Sequence, residues 1–242
     1  MSVAFLIPTT SRNTNWTNLL DSYLYNIFLP SIKNLHDTTL YIGYDCDDPI
    51  FDNAKNQRTL ENLYPQVHFK WFGYQGYSGN PVAIWNKLGK EAFDDGIAYM
   101  KVIGDDIKAN PLMDNWLDVM IHELKKRKNV GWVAGYSGNN TIPTQFLVHR
   151  THFEIFKFIY PPELKNWFCD NWLCLVYPKQ YRCWITDIHL YNMGGKPRYE
   201  PADDHAKMLC LVGRYKKYIT KYINDAEITE SSRSSKTEDQ TT

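Results

Sequence analysis

Two adjacent carboxylates, Asp105 and Asp106, close the apolar run Ala98-Tyr99-Met100-Lys101-Val102-Ile103-Gly104. The run reads as a buried strand that delivers charge to the end of a sheet, and in open α/β sheets ligands occupy the crevice beyond the carboxyl ends of the strands. Neighbouring carboxylates repel each other unless positive charge lies close by. A hard divalent cation, held by oxygen ligands and holding phosphate in turn, meets that need. The dipeptide by itself fits a turn cap equally well, so its surroundings have to decide. Further along, Asp170 stands among bulky apolar neighbours in Asn166-Trp167-Phe168-Cys169-Asp170-Asn171-Trp172, and His149, His189 and His205 are spread through the second half. A single histidine of this kind is more often a hydrogen-bonded surface residue than a ligand.

The elements that must position these groups follow from periodicity. Val3 to Ile7 is an uninterrupted apolar run, the pattern of a central strand, and it opens into the polar loop Pro8-Thr9-Thr10-Ser11-Arg12-Asn13. Helical spacing covers Trp16 to Leu35, with Pro30 expected to kink or end the helix. Thr39 to Tyr44 is a second strand ending in Asp45-Cys46-Asp47-Asp48-Pro49, and Val67 to Phe72 a third ending in the Gly-rich loop 73–80. Pro81 suits the first turn of a helix with Trp85, Leu88 and Ala92 on one face, and the strand to Ile103 comes next. All these loops open on the side of Asp105 and Asp106. Asp47 and Asp48, just before Pro49, fit a turn better than a site.

A helix from about Asn115 to Lys128 ends in Lys125-Lys126-Arg127-Lys128, which suits the negative end of the helix dipole. Strands are expected at Val130 to Ala134, Gln145 to Val148 and Tyr181 to Ile185, and a helix behind Asp203-Asp204. From about Glu227 almost no apolar residue remains, so residues 226–242 read as a disordered tail after one domain over 1–225.

Composition excludes several classes. Lys+Arg and Asp+Glu are both 27 in 242 residues, so the chain lacks the positive footprint of a nucleic-acid binder. The five cysteines are odd in number and contain no C-x-x-C pair, which argues against a disulfide framework or a zinc knuckle and for reduced thiols in the cytoplasm. No basic leader precedes the short apolar run at Val3, and no run is long enough to span a bilayer, so no membrane insertion is expected.

Four pieces occur in order: Ile-Pro-Thr-x-x-Arg after the first strand, an Asp cluster after the second, Gly76, Asn80 and Asn86 opening the next helix, and Ile-Gly-Asp-Asp. Together they resemble the nucleotide-sugar half of the GT-A-fold glycosyltransferases over residues 3 to 107, with a looser likeness to about residue 190. The likeness is to family-two-like inverting enzymes and to small stand-alone versions encoded by large DNA viruses. It implies an α/β, Rossmann-like three-layer sandwich with a mixed, mainly parallel sheet, nucleotide-binding over 1–107 and acceptor-binding over 108–225. It also implies a metal-dependent enzyme that uses Mn2+ or Mg2+ to move a hexose from a nucleoside-diphosphate sugar, UDP-linked, to a hydroxyl of a glycan or glycoprotein.

By that resemblance Thr9, Arg12 and Asp45 hold base and ribose, Asn80 and Asn86 also belong to the donor site, Asp105 contacts ribose or sugar, and Asp106 takes the metal. Chemically this is sensible, since Arg12 can pair with phosphate and a strand-end carboxylate can accept from a ribose hydroxyl. The family's Asp-x-Asp motif loses its first acid here, where Gly104 stands. The resemblance makes Asp170 the base that deprotonates the acceptor, with apolar neighbours raising its pKa and Trp167 and Trp172 offering faces to a sugar ring. The structural alternative is an acid that caps a helix. His189, or alternatively His205, would be a further metal ligand. The stretch from His189 to Gly194-Gly195-Lys196-Pro197 also resembles, with altered spacing, an element of retaining transferases. Retention is therefore one alternative, a nucleotidyltransferase a second, and a non-catalytic carbohydrate-binding module a third. Only Arg12 matches the basic Gly-rich loop that nucleotidyltransferases carry after the first strand.

Overall fold

The computed structural model describes residues 2–32, 38–110, 112, 114–138, 141–195 and 197–238, with side chains as far as Ala226. Strand β1 (Val3–Pro8) is apolar throughout because both of its faces are covered. Ala4 and Leu6 join one hydrophobic cluster, and Val3, Phe5 and Ile7 join the other. It pairs in parallel with β2 (Thr38–Asp45) and, on its other side, with β4 (Tyr99–Val102), while β2 pairs in parallel with β3 (His68–Tyr74). The carboxyl ends of these four strands therefore lie on one side. The sheet continues through β5 (Ile107–Ala109), β6 (Trp132–Tyr136), β7 (Phe146–His149) and β8 (Arg182–Asn192) in the spatial order β3-β2-β1-β4-β7-β6-β8-β5. Antiparallel pairing enters at β4/β7, β6/β7 and β5/β8.

Helices cover both faces. On one lie α1 (Leu29–Ser31), α2 (Ala54–Leu63) and α4 (Trp116–Lys126), whose Leu29, Leu60, Trp116, Met120 and Leu124 are buried against Phe5, Ile42 and Leu147. On the other lie α3 (Pro81–Asp94), α5 (Thr151–Phe156), α6 (Cys169–Val176) and α7 (His205–Glu238), packed on Leu6, Met100, Trp132 and Val148. The result is a three-layer sandwich with a mixed, mostly parallel sheet. Local chemistry sets the helix starts: Asn80 accepts from the Ala83 amide at 3.0 Å ahead of Pro81, and Asn53 accepts from the Lys55 and Asn56 amides ahead of α2.

The helix expected over Trp16 to Leu35 is broken instead into a 3-10 turn (Leu19–Asp21), a π-helix (Leu24–Phe28) and the single turn α1; residues 33–37 lie outside the described residues. Pro30 has no N–H for the carbonyl four residues back, and just before it the winding loosens so that the Leu29 N–H reaches the Leu24 carbonyl. The elements α2, β5, α5 and α6 were not expected from the pattern, and β8 is longer than the strand Tyr181 to Ile185. Helical backbone in α7 continues to Glu238, past the point near Ala226 where the composition turns polar. Among the described residues no helix is long and apolar enough to cross a membrane.

Candidate active site

A cleft of about 430 Å3 opens at the carboxyl ends of β1, β2 and β3. Its walls are Thr9, Thr10 and Arg12 after β1, Tyr44 and Asp45 at the end of β2, Tyr77 to Asn80 before α3, and Lys165, Asn166 and the segment 198–200 opposite them. That volume lies within the range of small-molecule sites. The sequence-expected residues Thr9, Arg12, Asp45 and Asn80 are brought together here, although Asn80 also caps α3. Arg12 pairs with Asp45 at 3.1 Å and with Asp47 at 2.6 Å. Burial raises the Asp45 pKa above the usual carboxylate range, and the charge of Arg12 opposes that rise. Behind the cleft, Asp48 is buried in the expected turn, where its carboxylate accepts from the amides of Ser11, Ile50 and Phe51 and so ties the loop after β1 to the loop after β2.

Asp105 and Asp106 are not themselves among the residues that line the cleft, but Asp105 touches two that are. Asp105 is fully buried and accepts from the Thr9 hydroxyl at 2.6 Å and from both terminal nitrogens of Arg198, one at 3.0 Å. Both partners of Asp105 thus form walls of the cleft. The Arg198 guanidinium also donates to the Thr10 carbonyl at 2.8 Å and lies over the rings of Trp16 and Tyr23, 5.4 and 5.2 Å from their centroids. Nothing in the spacing of the sequence pointed to Arg198, which is 93 residues from its partner. Asp106 is wedged between two glycines. A Cβ at Gly104 would stand 2.6 Å from Asp106 Oδ1, and one at Gly194 would run into Oδ2. A first acid of an Asp-x-Asp motif at position 104 would therefore require Asp106 to leave the rotamer that it adopts. Burial pushes Asp106 up to about 6, with the charge of Asp105 adding to it and Arg198 and an Asn192 hydrogen bond opposing.

Whether these residues fit a divalent cation depends on their donor set. Asp105 is committed to Thr9 and Arg198, which leaves the Asp106 carboxylate as the oxygen ligand. A single carboxylate fits Mg2+ or Mn2+ only where phosphate oxygens and water supply the rest of the shell. The expected histidine ligand has to be corrected. Ile107 faces Asn192 in the β5/β8 ladder, so His189 is opposite Asn110, four positions and about 13 Å along the strands from Asp106. Its Nδ1 instead meets the Tyr191 hydroxyl at 3.1 Å. His205 is exposed at the start of α7 with its ring 5.4 Å from Phe168, and His149 bonds Thr151. Among the described residues no group of three His, Cys, Asp or Glu side chains could hold a metal by itself. Lys196, the cation of the retaining-type element, lies outside the described residues.

Asp170 sits in the first turn of α6 and caps nothing: the helix has no side-chain cap, and Asp170 Oδ1 accepts from the Tyr160 hydroxyl at 2.5 Å, with Cys169 Sγ 3.9 Å away. Burial raises its pKa to about 6, against the pull of those two hydrogen bonds. Tyr199 feels the charges of both this corner and the acid pair. Burial first, then the neighbouring Cys169, Asp170 and Asp106, push its phenol up to about 12. Two further expectations need correction. Trp172 offers no face to a sugar, since it is fully buried against Phe156, Phe158 and Tyr215 on the inner side of α6. Trp167, five residues earlier and outside the helix, is 47% exposed. Asn86 does not reach the cleft, because its amide is occupied by the backbone of Ile159 and Tyr160.

No protein-family model matches the chain, and no curated protein matches it in sequence. Solved structures do. TarS 1–349 of S. aureus superposes over 88% of this chain with a TM-score of 0.57 at 14% identity. The mannosyltransferase PcManGT of Pyrobaculum calidifontis, in complex with GDP-Man and Mn2+, superposes over 81% with a TM-score of 0.58 at 12% identity. This chain has the GT-A fold. GalNAc-T7 with UDP, GalNAc and Mn2+ matches 88% of the chain, with a TM-score of 0.57 at 9% identity. The chain spans 64%, 58% and 47% of the lengths of those three proteins, so what it shares with them is the GT-A core.

Proposed function

We propose that the protein is a metal-dependent glycosyltransferase that moves a hexose from a nucleoside-diphosphate sugar, UDP-linked, to a hydroxyl of a glycan or glycoprotein with inversion. The observation that carries this reading is that Thr9 and Arg198, the two partners of buried Asp105, are also walls of the cleft at the ends of β1 to β3. A nucleoside in that cleft would lie against Arg12, Asp45 and Tyr77, with its diphosphate directed at the Arg198 guanidinium. Arg198 is well suited to that group, since a planar fork of donors matches phosphate oxygens and its charge offsets the charge left on the departing diphosphate. The neighbours crystallised with GDP-Man and Mn2+, and with UDP and Mn2+, support the same donor class. A bound Mn2+ or Mg2+ would supply further neutralisation of the leaving group, and Asp106 is the residue that would hold it.

In transfer the acceptor oxygen bonds to C1 while the C1–O bond to the diphosphate breaks, and the electron pair leaves with the diphosphate. The acceptor proton must go to a base. Asp170, raised to about 6, is ionised at neutral pH yet basic enough to accept it. Exposed Trp167, three residues before it, would give the acceptor sugar an aromatic face. A thermal-shift and calorimetric screen of nucleoside diphosphates with and without Mn2+ tests the proposal. A diphosphate that binds more tightly with the metal raises the melting temperature, whereas no stabilisation by any of them would refute the donor assignment.

A further inference from the structure

We infer that Asn86 and Tyr160 are positioning residues of the transfer step, with Asn86 fixing the backbone of residues 159 and 160 and Tyr160 fixing the Asp170 carboxylate. The inference rests on the reading of Asp170 as the base. Asn86 Oδ1 accepts from the amides of both Ile159 and Tyr160 at 2.9 Å, and its Nδ2 donates to the Tyr160 carbonyl at 2.8 Å. An amide side chain can make four hydrogen bonds, so three of the four are spent on one peptide segment. That segment has no regular structure of its own, and a rigid helix has to hold it.

The same helix is anchored to the strands that carry the acid pair. Trp85, next to Asn86 in α3, donates through Nε1 to the carbonyls of Leu6 and Ile103 at 3.2 and 3.4 Å, at the ends of the β1 and β4 runs. Its ring meets the edge of Tyr160 at 5.6 Å, and Phe146 on β7 meets Tyr160 at 5.6 Å from another side. Tyr160 is fully buried, and its hydroxyl has one acceptor, Asp170 Oδ1. A chain of contacts therefore runs from the ends of the β1 and β4 runs through α3 to the base. Its consequence is geometric: the base is held at a fixed place relative to Asp105 and Asp106 although 64 residues separate Asp170 from Asp106 in sequence. Misplacement by about 1 Å can cost on the order of 10²-fold in rate.

The groups facing Asp170 are Tyr160 from the held segment, Cys169 from α6 and Tyr199 from the strand-to-helix connection before α7. Of these, the Tyr160 and Cys169 hydrogen bonds lower the Asp170 pKa, against burial. Removing the Tyr160 hydroxyl should therefore raise it further. The test is 13C NMR titration of aspartate side-chain carboxyls in the full chain, with Asp170→Asn used to assign the signal. Tyr160→Phe keeps the ring and its packing, and the Asp170 midpoint is expected to move up by about one pH unit. Asn86→Ala, if it folds, is expected to move the midpoint in the same direction by freeing the segment. A midpoint that stays at the wild-type value in Tyr160→Phe, or in a folded Asn86→Ala, overturns the inference. Failure of the base reading shows elsewhere, as an Asp170→Asn enzyme with undiminished turnover, so the two failures are distinguishable.

Discussion

The parallel half of the sheet, β1 to β4, and the mixed half, β5 to β8, in which β6 pairs in parallel with β8 but antiparallel with β7, contribute to the candidate site in different ways. In the parallel half each contributor follows its strand directly: Thr9 and Arg12 after β1, Asp45 at the end of β2, Asn80 beyond β3, Asp105 and Asp106 after β4. In the other half the contributors come from irregular connections, namely Tyr160 after α5, Asp170 at the first turn of α6, and Arg198 and Tyr199 between β8 and α7. The first group is placed by the topology of the sheet itself. In the second, Tyr160 is fastened by Asn86 and Arg198 by Asp105 through long-range hydrogen bonds, and each of those bonds can be broken singly. On the proposed reading the first half holds the donor, and the second acts on the acceptor and closes over the diphosphate.

The largest expected effect separates these roles at Asp170. Asp170→Asn keeps size but cannot take a proton, so turnover of a nucleotide sugar should fall by roughly 10²–10⁴-fold. A rate within a few-fold of wild type would move the chemistry out of the mixed half. Arg198→Ala comes next. It leaves Asp105 buried and unpaired, and stability should drop by about 3–5 kcal/mol, read as a lower urea midpoint. A drop below about 1 kcal/mol would mean that Asp105 finds another partner and that the connection before α7 is not fastened through this pair.

Asn86→Ala should cost less, about 1–3 kcal/mol, because it strands buried polar groups of the 159–160 backbone without removing a charge. The smallest effect concerns pH. The folded-state pKa of Asp170 is raised to about 6 from the model-peptide range near 4, so between those values the folded chain binds more protons than the unfolded one. Its contribution to stability is therefore lost as pH rises from about 4 to about 6. Above pH 6, Asp170→Asn should be more stable than wild type by about 1–2 kcal/mol, and an equal or lower stability there would contradict the raised pKa.

The contrast between the halves also explains what the sequence revealed. The acid pair, Thr9, Arg12 and Asp45 were legible because an apolar run, its end and the polar residue after it are all local features. Asn86 and Trp172 were misassigned for the same reason: their residue types and positions fit a site, but only the fold shows that Asn86 turns toward Tyr160 and Trp172 toward the inner side of α6. One signal for Trp172 was available. Cys169, Trp172, Leu173 and Val176 are buried together, at the i, i+3, i+4 and i+7 spacing of the inner face of a helix, and reading α6 there would have put Trp172 in the core. Arg198 had no such signal, since its site comes from pairing with Asp105 across 93 residues.

The division of labour is tested most directly by calorimetric titration of UDP in the presence of Mn2+ into the wild type, Asp106→Asn and Asp170→Asn. Binding is expected in the wild type and in Asp170→Asn with the same dissociation constant, and in Asp106→Asn it should weaken by at least about tenfold, or about 1.4 kcal/mol. Equal binding by all three proteins, or a loss confined to Asp170→Asn, would contradict the account.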